Sequence, residues 1–469
     1  KFLVAPDFLN KIFIVSQGQL ERFDVEYFKW FSEVISKYKF VSLWDIAEFQ
    51  YGLWESAQDS WDLVYIRITD IDEFGLLKKD DLKFVTEQES FWNSILQKWD
   101  ILVARTWATY WKTLYFDEDF RATYGGFLIR IKLNTSIILP KFYFYFTHTS
   151  LYWNNAKQLV WWWWQPQFNA NAVKQLQIPL PPLEIQNQIV EKMDLALKEK
   201  KQKELQAKTL LESIDDFVLS ELWIEYKEVE EKKVFGLSLS ELLESKRLDP
   251  KWYSVKFREI KNSIKNSKYK LEKIEKLTLQ SIAWERWVDE WKWWEWFEKI
   301  NVLRNTNFVN DKNFDYSDVG TGEIEEKKFS RWILLNKWDL LVEKSGWSEV
   351  QPVWRVAIFD LDERNYSFSN FLHCFRIDKD KILPDYVFSY LKTIYRLWYM
   401  EYIQNQTTWI RNLIMENFLE IFIPLPPLEV QEKIALEVKN RIEKAKVLES
   451  EAKEVYERAK KEVEEMILD

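Results

Sequence analysis

Two short segments gather side chains suited to a polyanion. The first runs Arg105-Thr106-Trp107-Ala108-Thr109-Tyr110-Trp111-Lys112-Thr113, with Arg105 and Lys112 as cations and Thr109 and Tyr110 as hydroxyl groups between them. Arginine and lysine hold phosphate oxygens, and hydroxyls bond to phosphates or base edges. A structural hairpin is the alternative reading. The second segment carries three amides, Gln165, Gln167 and Asn169, each two residues from the next. An amide places one donor beside one acceptor, the pattern that matches adenine in the DNA major groove. Hydrogen bonding within a turn is an equal reading of the same amides. Further along, Lys344, Ser345, Ser348 and Arg355 form one polar group, and Thr407, Thr408 and Arg411 form another. Arg67 with Thr69, and Arg304 with Asn305 and Asn307, follow apolar runs, where phosphate contact and turn capping are both open.

Bond-making chemistry has few candidates. The 469 residues include two histidines, His148 and His373, and one cysteine, Cys374. Neither histidine has a third ligand close in sequence, so both read as core or boundary residues, with no metal site. One cysteine excludes an internal disulfide. Glu325-Glu326-Lys327-Lys328 is a surface charge run, and no nuclease cluster or Asn/Asp-Pro-Pro-aromatic methyltransferase core is present. The chain is therefore expected not to be an enzyme by itself. Its net charge of −9 speaks against a simple nucleic-acid binder. Acidic helices can nevertheless coexist with a basic face, and a partner can supply phosphate contacts. No apolar run is long enough to span a bilayer, and the start, Lys1-Phe2-Leu3-Val4, has neither an initiator Met nor a signal-peptide layout. A cytoplasmic protein with an incomplete start is the expectation.

Tryptophan is the anomaly. The chain has 27 Trp and 9 Gly, where an ordinary protein of this length has roughly 33 Gly. Trp99 in Gln-Lys-Trp-Asp and Trp338 in Asn-Lys-Trp-Asp each precede a short apolar run. A tight turn there calls for positive φ, which glycine adopts freely. Trp161 to Trp164 stand in a row, and Trp291, Trp293, Trp294 and Trp296 crowd a charged stretch. The economical explanation is a gene in which UGA encodes glycine, translated with UGA as tryptophan. Trp30, Trp153 and Trp252 read as genuine. The rival is a Trp-rich platform for carbohydrate, which would place indoles on sheet faces instead of in turns.

The chain is also duplicated. Ile178-Pro179-Leu180-Pro181-Pro182-Leu183-Glu184-Ile185-Gln186 returns 245 residues later as Ile423-Pro424-Leu425-Pro426-Pro427-Leu428-Glu429-Val430-Gln431. Lys98-Trp99-Asp100 returns as Lys337-Trp338-Asp339, and Arg22-Phe23-Asp24 as Arg247-Leu248-Asp249. Under this register the polar groups around 344–355 and 407–411 take the places of the first two segments, with different residue types. Each copy begins with β-rich runs, at 63–68, 101–104 and 127–131, then 340–342, 356–359 and 374–377. Helical stretches at 141–156 and 385–404 intervene. Each copy ends in one long helix, starting just after Pro-Pro because proline cannot continue inside it. Apolar residues step by three and four through Ala445, Leu448, Ala452, Val455, Ala459, Val463 and Met466. Ile189, Met193, Ala196, Ala207, Leu210, Ile214 and Phe217 line the central helix. Such seams predict an antiparallel coiled coil of two helices. The fold class is α+β: domain 1 at 1–182, a central helix at 183–225, a linker and domain 2 at 226–427, and a C-terminal helix at 428–469.

This layout resembles the specificity subunit of type I restriction–modification systems, in which Leu-Pro-Pro-Leu-Glu-x-Gln marks each passage from a target-recognition domain to a long helix. Ile101-Leu102-Val103-Ala104-Arg105-Thr106 and Gln165-Pro166-Gln167-Phe168-Asn169 resemble it too, as does 105–113 once Trp107 and Trp111 are read as glycine. That restored string is not a phosphate-binding loop, which needs four residues between its glycines and a following helix. The resemblance covers about 20–469 and implies a reader of double-stranded DNA with a split target. It implies two methyltransferase subunits and restriction–translocase subunits as partners, and no membrane. The partners would use S-adenosylmethionine, ATP and Mg; this chain would bind no cofactor. A related, type II-like restriction enzyme would need a similar reader with other partners.

Overall fold

The computed structural model describes residues 36–60, 62–105, 112–159, 170–230, 234, 236–245, 250–284, 297–308, 314–325, 334–347, 353–363, 365–406 and 410–468. Copy 1 forms β1 (Phe40–Ser42), β2 (Ala47–Tyr51), β3 (Leu63–Ile66), β4 (Lys83–Val85), β5 (Ile101–Ala104), β6 (Thr113–Tyr115), β7 (Ala122–Tyr124), β8 (Leu128–Leu133) and β9 (Gln177–Pro179). Copy 2 forms β10 (Lys270–Lys273), β11 (Thr278–Ala283), β12 (Phe297–Leu303), β13 (Gly320–Glu325), β14 (Leu340–Glu343), β15 (Ser345–Trp347) and β16 (Val356–Ile358). It continues with β17 (Tyr366–Phe368), β18 (Leu372–Ile377), β19 (Gln404–Gln406), β20 (Ile410–Leu413) and β21 (Phe422–Leu425).

The sheets repeat as the sequence does. Copy 1 orders one sheet β2-β8-β5-β6, and copy 2 orders its equivalent β11-β18-β14-β16. A second sheet is β4-β3-β7 in one copy and β13-β12-β17 in the other, with the last pair parallel in both. The small pairs β1-β9 and β10-β21 also correspond. In β5, Ile101 and Val103 enter one apolar cluster while Leu102 and Ala104 enter another. In β14, Leu340 and Val342 likewise part from Leu341. Both faces of these central strands are covered, which is why they read as unbroken apolar runs.

Four helices matter for the site: α1 (Pro140–Phe146), α2 (Leu183–Glu221), α3 (Pro384–Arg396) and α4 (Leu428–Leu468). The expected helix at 141–156 breaks at Thr147 and Thr149, whose hydroxyls donate to the carbonyls of Phe144 and Phe146; a second helix, Ser150–Leu159, follows. The stretch expected to stay helical to 404 stops at Arg396. The contacts divide the chain into two compact units, Lys1–Lys203 with Ser450–Asp469, and Glu204–Glu449. Each long helix thus contributes one end to each unit, a different division from the four consecutive segments expected. In the first unit α2 and α4 run antiparallel, with Lys192 on Glu462 and Lys203 on Glu451. In the second, Arg441 donates to the Ser213 carbonyl and Lys433 pairs with Glu221. Alanines 196, 207, 445, 452 and 459 are buried on the seams. Among the described residues no helix is long and apolar enough to cross a membrane.

The repeated Leu-Pro-Pro-Leu-Glu-x-Gln string has a mechanical explanation. The Gln186 amide oxygen accepts from the Leu139 N–H (2.7 Å), while its nitrogen donates to the carbonyls of Pro181 (2.8 Å) and Ile137 (3.1 Å). Gln431 repeats this, accepting from the Leu383 N–H (3.0 Å) and donating to the Pro426 carbonyl (2.9 Å). Both glutamines are buried, so each ties the first turn of a long helix to the segment that starts α1 or α3. The far ends are tied as well: Ser36 donates to the carbonyl of Ile467, and Ser267 to that of Leu222. Gln186→Ala or Gln431→Ala leaves buried polar groups without partners, and should lower unfolding free energy by about 2–3 kcal/mol in denaturant titration. A change under about 0.5 kcal/mol would show the string to be ornamental.

The backbone bears on the tryptophan anomaly. Among the described residues, the non-glycine residues with φ between 56° and 99° are Trp99, Trp223, Trp338, Trp354 and Trp398, all of one residue type. In the Lys-Trp-Asp turns, the N–H of Asp100 bonds to Gln97 and that of Asp339 to Asn336, so the tryptophan is the third residue of a turn that needs φ > 0. Trp223 follows α2 with the N–H of Ile224 reaching the Leu219 carbonyl and its own reaching Ser220. That is the six-to-one, five-to-two pattern whose left-handed residue is usually glycine. Trp398 stands just past α3 in the same role. Trp354 is fully buried, and among the described residues its indole N–H has no partner. By contrast Trp252 packs edge-on against Phe257 at 5.0 Å, and Trp153 against Tyr152 at 5.1 Å, as ordinary core aromatics do.

Candidate nucleic-acid interface

Both copies hold the same ion pair at the start of a central strand. Asp100 caps its turn by accepting from the Gln97 N–H (2.7 Å) and meets Arg130 of β8 at 2.7 Å. Asp339 accepts from the Asn336 N–H (2.8 Å) and meets Arg376 of β18 at 2.8 Å. Each pair locks the turn that feeds β5 or β14 to a neighbouring strand. Those two strands run directly into the segments singled out for polyanion binding.

In copy 1 the two segments have their ends brought together. The Arg105 guanidinium lies over the Tyr51 ring (5.1 Å) and the Trp54 ring (5.8 Å). The Tyr51 hydroxyl accepts from the Ala170 N–H at 3.1 Å. One side chain at the end of β2 therefore holds both the residue opening the first segment and Ala170, the residue that follows the second. Thr109, Tyr110, Gln165, Gln167 and Asn169 lie outside the described residues. Lys112 is placed inward: its ammonium donates to the Ile71 carbonyl at 2.6 Å, and burial lowers its pKa. It fastens β6 to the turn at 68–71.

Copy 2 brings its two groups together in a three-stranded ribbon, β15-β20-β19. Ser345 faces Asn412, and Asn405 faces Asn412 from the other side. Ser345 donates to the Asn412 amide oxygen at 2.6 Å. Lys344 is half-buried, and its backbone bonds to Phe371 and Leu413 on either side. Gly346 sits where the ribbon crosses the domain: a Cβ there would stand 3.1 Å from both Glu343 and Val353. Ser348, Thr407 and Thr408 lie outside the described residues.

Two expected DNA cations of copy 2 are structural ties. Arg355 forks onto Glu343 (2.8 and 2.9 Å) and donates to the carbonyls of Asn305 (2.9 Å) and Phe308 (3.2 Å). Arg411 is 6% exposed and bonds to Glu401 at 2.8 Å. Arg67 and Arg304 also serve their own turns, Arg67 on Asp70 (2.6 Å) and Arg304 on the Asp318 carbonyl (2.9 Å). Asn405 and Asn412 are absent from the sequence-based candidates; Arg411-Asn412-Leu413 alternates buried and exposed positions, the period of a strand, and Asn405 is exposed beside buried Gln404.

The two histidines and the cysteine sit in packed surroundings. His373 bonds to Ser281 at 2.8 Å, and burial pulls its pKa down to about 4. His148 bonds to the Tyr456 hydroxyl, with its pKa lowered to about 3 by burial. Burial raises the Cys374 thiol well above its ordinary value. Among the described residues no group of three or more His, Cys, Asp or Glu is placed to hold a metal.

Three solved structures are similar along nearly the whole chain. One is a chain from work on complex assembly and conformational transition of the type I R-M system, 15% identical, spanning 92% of this chain and 96% of that one, with a TM-score of 0.51. The HsdS subunit from Thermoanaerobacter tengcongensis is 14% identical over 92% and 95%, with a TM-score of 0.36. The type I restriction–modification S subunit from M. genitalium is 11% identical over 92% and 97%, with a TM-score of 0.45. The first supports the fold. Curated proteins give no significant match. The sequence itself matches the type I restriction modification DNA specificity domain twice, over residues 35–208 and 297–455. Neither the carbohydrate platform nor a type II-like enzyme receives support from these matches. With both halves matched and most of its length covered, the chain belongs to the type I restriction–modification DNA specificity family.

Proposed function

We propose that this specificity subunit reads a bipartite DNA target, one half-site per copy, and does no chemistry itself. The observation carrying this reading is the contrast within the duplication. Scaffold elements coincide down to single hydrogen bonds, as at Gln186 and Gln431 or Asp100 and Asp339. The segments above them differ in residue type, as two readers of unlike half-sites require. Linking two weak readers raises affinity through effective concentration.

The paired helices are the natural seat for partners. Two methyltransferase subunits supplying S-adenosylmethionine chemistry on adenine, and restriction–translocase subunits using ATP and Mg, would complete the assembly. Of the residues named, Arg105, Lys344 and Ser345 remain candidates for DNA contact, as do Thr109, Tyr110, Gln165, Gln167, Asn169, Ser348, Thr407 and Thr408. Producing the chain with a methyltransferase subunit of the same type and mapping adenine methylation across a genome tests this. A methylated motif of two short half-sites with a fixed gap is expected. A continuous motif, or methylation independent of this chain, would overturn it.

A further inference from the structure

The ribbon of copy 2 presents an ordered polar row. Alternation sets it: Gln404, Arg411 and Leu413 are buried, whereas Asn405 and Asn412 are exposed. The inward residues are pinned, with Gln404 donating to Glu401 (2.6 Å) and accepting from the Val353 N–H (3.2 Å). Arg411 bonds to the same Glu401 carboxylate. A slip of one residue would bury the asparagines and expose the arginine, so the register holds firmly. Ser345, Asn412 and Asn405 then lie side by side on three neighbouring strands. At a strand spacing of about 4.8 Å the row is about 10 Å long, close to three base pairs.

We propose that Asn412 reads an adenine of the second half-site in the major groove, with Ser345 as its positioning residue and Asn405 reading beside it. The inference rests on the reading of copy 2 as a DNA reader and adds which side chains choose the base. The major groove admits a two-stranded β-ribbon, which the paired β19 and β20 that carry Asn405 and Asn412 form. An asparagine amide accepts from adenine N6–H and donates to N7. The Ser345 hydroxyl donates to the Asn412 amide oxygen at 2.6 Å, which holds the plane of the amide. The second lone pair and the amide hydrogens stay available to a base. Lys344, at the foot of the ribbon, is placed for a phosphate oxygen while the amides take the base edges.

The test uses the full chain with its partner methyltransferase, reading the methylated motif genome-wide and binding to duplexes that vary one pair of the second half-site. Asn412→Ala should make one A·T position of that half-site degenerate, cutting discrimination there roughly tenfold to hundredfold. Asn412→Asp keeps the volume and should move the preference at that position from adenine toward cytosine, whose amino group a carboxylate accepts. Ser345→Ala should relax the same position, and Ser345→Thr, which keeps the hydroxyl, should restore it. The first half-site should not change in any variant. A second half-site identical to wild type in both Asn412 variants would overturn the assignment of the ribbon and leave the bipartite reading standing. Absence of any bipartite motif with the unmodified chain would overturn both.

Discussion

A chain carrying glycine at positions 99, 223, 338 and 398 should resist denaturant better than the chain with tryptophan there, by about 4 kcal/mol in all. All four residues have φ between 62° and 79° or, at Trp223, 56°. An L-residue in that region costs roughly 1–2 kcal/mol, offset in part by the greater freedom glycine gives the unfolded chain. Removing three of the indoles sacrifices little packing, since Trp99, Trp223 and Trp398 are 54%, 62% and 45% exposed, whereas Trp338 packs partly buried against the apolar core of its unit and its replacement gives back some of the gain. The four sites lie in separate turns and helix ends, so their effects should add. Trp354 is a different case: its indole fills core space against Phe418, and its replacement alters packing as well as backbone strain. The expected origin of all five is UGA read as glycine, and the source DNA should show UGA at about 20 or more of the 27 tryptophans. UGG codons at these positions, or a four-glycine variant no more stable than the parent, would overturn the idea.

Much of the architecture was legible because it rests on local rules. The proline pair fixed where α2 and α4 begin to within a residue, and steps of three and four marked their buried seams. The Lys-Trp-Asp turns were identifiable from composition and position alone. The interface was less legible, for a physical reason. Lys112, Arg355 and Arg411 have the residue type that phosphate wants, but type does not say which way a side chain points. Their acceptors are Ile71, Glu343 and Glu401, at distances of 10 to 41 residues along the chain. A partly buried cation takes such partners before any ligand arrives, because leaving it unpaired is expensive. The exposed amides of β19 and β20 carry no charge to attract notice, and only the strand period marks them. The helix ends at Thr147 and Trp398 were likewise hidden, the first in hydroxyl bonds to the preceding turn and the second in a left-handed residue.

The spacing between half-sites should follow the length of the helical pair. Within the first unit, moving 11 residues up α2 from Lys192 to Lys203 moves 11 residues down α4 from Glu462 to Glu451. Pairing in that register places Lys201 opposite the neighbourhood of Lys453. Four residues inserted near Lys201, with four matching residues near Lys453, make just over one helical turn and keep both seams facing each other. The pair lengthens by about 6 Å, the rise of about two base pairs. In genome-wide adenine methylation, the gap of the bipartite motif should grow by about two base pairs while both half-site sequences stay fixed. A gap unchanged at full activity would show that the helices do not set the distance. Altered half-site sequences would show that they touch the bases, and an insertion in α2 alone should abolish methylation because it throws the alanine-rich seam out of register.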